Sequence, residues 1–453
     1  RVCGLYWPER VERITGVPAR YIAQAAHLLG EAATAMVLTV RGPEQQSHGI
    51  ANTLAFINLA LALGKVGRPF CGYGCLTGQG NGQGGREHGQ KADQLPGYRR
   101  LDDERHRAEV AEVWDVDPDS LPRPGLSACE LLGSMGGAVR GLLVMASNLV
   151  VSAPDAQAVA ERIGKLDLLV VADPFLSETA KCADVVLPIT QWAEEEGTMT
   201  NLEGRVLLRR RAKEPPPGVG TDIQILKVLA DRLGQGAHFS SGAAETFAEF
   251  RRATAGGAAD YAGITYERIA AEQGVFWPCK SESDPGTPRL FLDRFATEDG
   301  RARFHAVEHR VSAEEPDHFF PYVLTTGRVL LHYQSGAQTR RVPELQAAEP
   351  EAFAEIHHDT ARTLGISAGD RVRLVTRRGE AEFKARVTRD IRMDTVFVPF
   401  HWGGEGSANL LTNAALDPVS RIPEFKVCAV RIEKIMNMTA DAVPEKSLSL
   451  VRH

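Results

Sequence analysis

Between residues 141 and 189 the sequence alternates apolar runs with helical ones in an order that few folds accept. GLLVMAS (141–147) reads as a strand and residues 154–164 as a helix. LDLLVVAD (166–173) is a strand ending on Asp173, 177–182 a short helix, and DVVLPI (184–189) a third strand. This is the order of a parallel sheet in a doubly wound, Rossmann-like α/β domain. Ligands of such sheets bind outside the carboxyl ends of the strands. Asn148, Asp173 and the segment after Ile189 sit at such ends.

Upstream, residues 11–34 read as a helix, with Pro18 near its first turn and Ile22, Ala25, Ala26 and Leu29 on one face. AMVLTV (35–40) is expected as a short buried strand, RGPEQQSHG (41–49) as a polar turn, and 50–65 as an apolar helix ended by Gly67 and Pro69. The stretch CGYGCLTGQGNGQGGREHG (71–89) follows, with seven glycines between Gly72 and Gly85. Each interior Gly costs a helix or strand roughly 0.5–1 kcal/mol relative to Ala, so a loop is expected here. Thr77, Gln79, Asn81, Gln83, Arg86, Glu87 and His88 are interleaved with the glycines, unlike a Gly/Ser linker. Exposed amides, amide side chains and a guanidinium suit a ligand with phosphates and a heterocycle edge.

Downstream, residues 103–135 are helical pieces broken by Pro118, Pro122 and Pro124. Residues 221–234 form a helix with Thr221 or Asp222 at its start, and further helical pieces lie near 244–252 and 264–273. After about residue 305 the texture changes to strands of alternating polarity at 322–328, 370–390, 395–400 and 423–432. A small closed barrel with one helix at 355–364 is expected. The domain plan is thus 1–305 (α/β), 306–435 (β-barrel) and a polar, poorly ordered tail, 436–453.

The chain of 453 residues carries a net charge of −6, which argues against a nucleic-acid partner held through phosphates. Its longest apolar runs are too short and interrupted to span a bilayer. Seven scattered cysteines do not read as a disulfide framework, which favours a reducing, cytoplasmic setting. Cys71 and Cys75 alone cannot build a four-thiolate metal site and are expected to line the loop.

Several side chains have two readings. Asp173 can pair with ribose hydroxyls or a guanine edge, or cap a neighbouring loop. Asp222 can meet a guanine or serve only as a helix cap. Glu194, Glu195 and Glu196 are a solvated face or the start of a binding loop. Arg328 can fork onto a phosphate. His332 is a satisfied buried histidine or a ligand contact. His401 and Trp402 can stack on a flat heterocycle, with Asn409 and Asn413 as edge readers, or simply pack a barrel loop. No Ser–His–Asp triad and no HExxH helix is present. The parts look built to hold a large phosphorylated cofactor, with the reactive centre elsewhere.

TGQGNGQGGREHG followed by LPGYR, the GLLVMASN strand, VVADPFLSETAKCADVVLPITQWAEEEGTMTNLEGR, TTGRVLLHYQSGAQTRR and NLLTNAALDPVSRIPEFKVCAV together resemble the bis-molybdopterin guanine dinucleotide oxidoreductases, over about residues 10–433. Within that family the wording is most similar to assimilatory nitrate reductase catalytic subunits, with formate dehydrogenases second. A scaffold relative such as the large subunit of NADH dehydrogenase is the alternative of another class. The resemblance implies a C-terminal β-barrel of the double-psi type and a molybdenum-bis(molybdopterin guanine dinucleotide) cofactor. It also implies a [4Fe–4S] cluster in an N-terminal part not contained here. The expected substrate is nitrate or formate, with electrons from a ferredoxin, a flavodoxin or an NADH-linked reductase subunit. It implies cofactor contacts from Gln45, Gly78, Gln79, Asn81, Asn148, Asp173, Glu195 and Asp222. From the C-terminal part it implies Thr326, Gly327, Arg328, His332, Tyr333, Gln334, Ser335, His401, Asn409 and Lys426. The chain departs from a periplasmic relative at Glu195, where that protein has Lys, and at Arg41, where it has Met.

Overall fold

In the computed structural model, which describes residues 2–435, the alternation over 141–189 is a parallel sheet. The tail expected over 436–453 lies outside the described residues. Two compact units are present: residues up to Ala313 with Asn413–Lys426, and Glu314–Thr412 with the chain from Val427.

In the first unit, β1 (Met36–Thr39) and β2 (Gly72–Cys75) pair in parallel. β3 (Gly141–Met145), β4 (Leu168–Asp173) and β5 (Val185–Pro188) form a second parallel sheet in sequence order. That order runs one way, without the reversal that defines a doubly wound sheet, and among the described residues β1 and β2 stand apart from it. The link from β4 to β5 holds a single 3-10 turn, Ala180–Cys182, where a short helix is expected. β6 (Gly197–Thr200), β7 (Arg205–Arg209) and β8 (Val275–Phe276) form a small antiparallel sheet over the stretch expected as a solvated face or binding loop. The core behind β3 and β4 is Leu132, Val144, Val159, Ile163, Leu169 and Val171. A second core collects Val206, Phe247, Tyr261, Ile264 and Ile269.

The helix expected over 11–34 is two helices, Pro8–Thr15 and Ala19–Glu31. Gly16 (φ 73°) caps the first in the left-handed region, and Pro18 starts the second. Neither buries a residue fully. β1 is not the buried strand expected: Met36 and Leu38 are exposed, and only Thr39 is buried. The 41–49 turn opens with a helical turn, Arg41–Glu44, and the apolar helix runs Gly49–Ala62. No helix among the described residues is long and apolar enough to cross a membrane.

The second unit is a closed six-stranded barrel. β9 (Tyr322–Gly327), β10 (Phe353–His357), β11 (Arg371–Val375), β12 (Glu380–Thr388), β13 (Thr395–Pro399) and β14 (Cys428–Lys434) close in the order β9-β13-β10-β12-β11-β14. β9·β13 and β10·β12 are parallel, and the other pairs are antiparallel. The start of the helix expected over 355–364 is strand β10, and the helix itself is His358–Thr363. The alternation of β12, EAEFKARVT, buries Ala381, Phe383 and Ala385 and exposes Glu380 and Lys384. Phe383 lies opposite Val372 in a core with Leu324, Ile356, Leu374, Val396, Val398 and Val430. Phe383→Ala is therefore expected to cost about 3–5 kcal/mol, read as a lowered denaturation midpoint.

Candidate cofactor-holding site

The glycine-rich stretch is more ordered than its composition suggests. Gly72–Cys75 is strand β2, and Gly82–Glu87 is a short helix, so the expectation that no regular element forms there is corrected. The reason is space: a Cβ on Gly84 would lie 2.2 Å from Asn81 Oδ1, and one on Gly82 would lie 2.9 Å from Thr77 Oγ1. The glycines let the loop fold onto its own side chains. Asn81 Oδ1 accepts from the Thr200 amide at 2.8 Å. Gln79 and Gly80 at the tip remain exposed, with Gly78 half-buried. His88 is packed against Phe250, with ring centroids 4.2 Å apart, and burial pushes its pKa down to about 4.

At the carboxyl ends of β1 and β2, Arg41 pairs with Glu44, and the Cys75 thiol donates to the other Glu44 oxygen at 2.7 Å. Burial, and then Glu44, push that thiol's pKa up. Gln45 follows, half-buried, in a turn held from outside. The Ser47 amide donates to Glu424 Oε2 (2.7 Å), and the Ile50 amide to Asp417 Oδ2 (3.1 Å). Glu424 and Asp417 are buried members of the Asn413–Lys426 segment, which also carries Lys426. Sequence reasoning missed both carboxylates. Two acids, each next to a proline in the stretch LDPVSRIPEF, were the available signal.

Asn148 stands beyond β3, Asp173 is the last residue of β4, and both act first on loops. Asn148 Oδ1 accepts from the Thr179 amide and hydroxyl (3.1 and 3.0 Å), and its Nδ2 donates to Glu178 (2.7 Å). Asp173 accepts from the Phe175 amide and the Ser177 hydroxyl, both at 2.9 Å, so the loop-cap alternative describes its present contacts. Glu195 accepts from the Thr190 hydroxyl (2.8 Å) and from Arg209 (3.0 Å). Thr221, not Asp222, caps the helix Asp222–Arg232, through a reciprocal box with Gln224. Asp222 is left partly buried, its pKa raised by desolvation and then by the charge of Glu195. The fold thus brings together two carboxylates 27 positions apart in sequence.

In the barrel unit, the run from Thr326 to Ser335 leaves β9 and winds around His401. The fully buried His401 ring accepts the Val329 amide at Nε2 (2.9 Å) and donates from Nδ1 to the Gln334 carbonyl (2.5 Å). Burial lowers its pKa to about 4 and keeps it neutral, so it braces the loop rather than presenting a ring nitrogen outward. His332 is likewise a satisfied buried histidine, donating from Nε2 to the Glu349 carbonyl (2.8 Å) and meeting Thr339 Oγ1 at 3.1 Å. Arg328 and Tyr333 are exposed, the guanidinium 5.8 Å from the Tyr333 ring centre. Gln334 is forced to φ 51°, and its Nε2 is buried with no hydrogen-bond partner among the described residues. A Cβ at Gly327 would strike the Phe397 ring. Asn409 is buried and accepts from the Thr412 hydroxyl at 2.9 Å. Among the described residues, no group of three or more His, Cys, Asp or Glu side chains is placed to hold a metal ion.

Two expectations follow. His88 and His401 are neutral in the fold but take up a proton near pH 6.5 once unfolded, so their contribution is present above that pH. It is lost as pH falls toward about 4, and melting curves should shift down over that window, less so when both are Gln. Gly84→Ala should displace Asn81 from Thr200 and cost about 1–3 kcal/mol in a denaturation curve. Gly133→Ala, where a Cβ meets nothing within 4 Å, should not.

Comparison with known proteins places these features in a family. The description "Molybdopterin oxidoreductase" matches residues 22–232, and "Molydopterin dinucleotide binding domain" matches residues 322–429. The chain is 46% identical over 422 residues to the assimilatory nitrate reductase catalytic subunit of Bacillus subtilis, covering 92% of this chain and 59% of that protein. It is 42% identical over 431 residues to the F420-dependent formate dehydrogenase subunit alpha of Methanocaldococcus jannaschii, covering 95% of this chain and 63% of that protein. It thus spans about three fifths of the length of these relatives. The fold is similar to that of acetylene hydratase from Pelobacter acetylenicus, at TM-score 0.66 and 17% identity, over 94% of this chain and 64% of that one. The chain belongs to the molybdopterin oxidoreductase family and carries a molybdopterin dinucleotide-binding domain in its barrel region.

Proposed function

We propose that this chain is the cofactor-holding part of a molybdenum oxidoreductase that reduces nitrate to nitrite in the cytoplasm. The observation that carries the choice of reaction is its 46% identity, across 92% of its length, to an assimilatory nitrate reductase catalytic subunit. Oxidation of formate is the second reading, favoured by the 42% identity to a formate dehydrogenase subunit. Seven free cysteines support the reducing compartment. The two parallel pairs inside the closed barrel support a double-psi connectivity for it.

The residues present suit a molybdopterin dinucleotide. Gln334 supplies a buried amide nitrogen that none of the described residues satisfies, on a backbone held in the left-handed region. When bound, the molybdenum cofactor supplies the two-electron redox chemistry of oxygen-atom transfer. The chain's own residues hold and orient it. Arg328, exposed beside Tyr333, offers a planar fork for a phosphate, and Lys426 a second cation. Asp222 and Glu195 form an acidic pair suited to the N1–H and N2–H edge of a guanine. Asn148, Asp173 and Asn409 fix the loops beside which the pterins would lie, and Gln45 stands half-buried in a turn held by Glu424 and Asp417. His401 keeps the Thr326–Ser335 run in shape, because its neutral ring donates at one nitrogen and accepts at the other.

The complete protein should contain molybdenum and release a guanine nucleotide on acid precipitation. Assayed in turn with nitrate and formate, it should turn over nitrate. Turnover of formate with nitrate untouched would overturn the choice of reaction, and a protein without metal or nucleotide would overturn the cofactor assignment. The 453 residues alone are expected to be inactive, so nitrate reduction by them would overturn that part of the reading.

A further inference from the structure

The glycine-rich loop is closed by a buried polar cluster that the cofactor reading does not use. Thr200, at the end of β6, reaches the loop twice: its amide donates to Asn81, and its hydroxyl lies 2.9 Å from Glu87 Oε2. Tyr261 Oη meets the same Glu87 oxygen and stands 2.8 Å from Thr200 Oγ1. The three oxygens make a closed triangle. Glu87 and Tyr261 are fully buried, and Thr200 is nearly so. Glu87 ends the short helix that the loop feeds, and Tyr261 belongs to the core with Phe247, Ile264 and Ile269.

Counting hydrogens favours a neutral carboxyl. Three edges need three hydrogens, and the two hydroxyls supply only two. An ionised Glu87 takes both and leaves Thr200 Oγ1 facing Tyr261 Oη at 2.8 Å with no hydrogen between them. A neutral Glu87 donates to Tyr261, Tyr261 to Thr200, and Thr200 back to Glu87, so every edge is filled. Among the described residues no donor reaches Glu87 Oε1 at hydrogen-bond distance, although the Trp277 indole N–H bears on the carboxyl; a carbonyl oxygen tolerates this better than one that shares a negative charge. The charged or titratable groups bearing on the carboxyl are Arg86, Tyr98 and Tyr261, with the Trp277 indole beside them. Burial outweighs the donors and pushes the carboxyl's pKa up.

We propose that the protonated carboxyl of Glu87 latches the loop 77–90 to Thr200 and Tyr261, which makes Glu87 the positioning residue that shapes this loop for a phosphate-bearing ligand. The ligand half rests on the function proposed above; the loop half stands on the triangle alone. Because the folded acid holds its proton more tightly than the unfolded one, the latch is strongest in acid and is released as pH rises. Gln at this position supplies two hydrogens and does not titrate, so it closes the triangle at every pH.

Hydrogen exchange of the 77–90 amides, corrected for intrinsic rates, tests the loop half on the complete protein at about pH 6 and about pH 9. The wild type should lose roughly tenfold in loop protection at the higher pH while the barrel strands keep theirs. Glu87→Gln should keep its protection, and Glu87→Ala should lack it at both. Equal pH dependence in wild type and Glu87→Gln, or full protection in Glu87→Ala, overturns the proposal. In the complete protein, molybdenum and guanine nucleotide retained after alkaline gel filtration should be higher for Glu87→Gln than for wild type, and equal retention overturns the ligand half. A wild type that never carries them defeats the cofactor reading, while the exchange result still decides the latch.

Discussion

Backbone N–H groups that no helix or strand claims must still find acceptors once buried, and this demand organises the first unit. So much of the chain is loop that side-chain oxygens take over the work of a ladder. Asp173 holds the amide of Phe175, Asn148 that of Thr179, and Asp184 that of Leu169. Asp417 and Glu424 hold Ile50 and Ser47, Glu424 also takes the Ala313 amide, and Asn81 takes Thr200. Each of these acceptors sits at a strand end or in a loop, and Asn148 and Asp173 stand at the carboxyl ends, where ligands of parallel sheets bind. The same groups therefore serve stability and shape the surface offered to a cofactor. Removing one leaves a buried donor unsatisfied, which costs more than the bond itself contributes.

The barrel solves the problem differently. Its ladder closes on itself, so interior positions are free to be apolar, and the polar work moves to the connection after β9. There a single neutral histidine holds the connection across the gap between Val329 and Gln334. A charged ring would have to donate at both nitrogens and would face the Val329 amide with a second donor. Burial, which lowers its pKa, is thus a condition of the loop's geometry. Gln334 sits near the end of that run, in a strained backbone conformation with an amide nitrogen that none of the described residues satisfies. Strain and an orphaned donor thus meet at one residue of this connection.

Much of this was legible in the residues, and the misses have physical causes. The parallel strands of 141–189 were readable because apolar run length and turn residues are local properties. The helix break at Gly16 was not read, because periodicity on both sides outweighed one glycine. The glycine-rich stretch was read as loop on intrinsic propensity, yet part of it is helix and part strand, since glycine there is demanded by the nearness of Asn81 and Thr77. Asp173 and His332 each had a plain alternative, and the contacts found are those of the plain alternative.

The sequence by itself determined the family, the parallel order of β3 to β5, the closed β-rich unit near the C-terminus, and which polar loops flank the strands. These follow from short-range patterns and from wording spread along the chain. Only the tertiary structure decided that Thr200, Tyr261, Asn81 and Glu87 share one buried cluster, that Glu195 charges the surroundings of Asp222, and that Asn413–Lys426 packs with the α/β unit rather than the barrel. Proton states belong to this second group. Whether a carboxyl or an imidazole is charged depends on how much water the fold removes and which donors it brings near, and neither is written in the neighbouring residues.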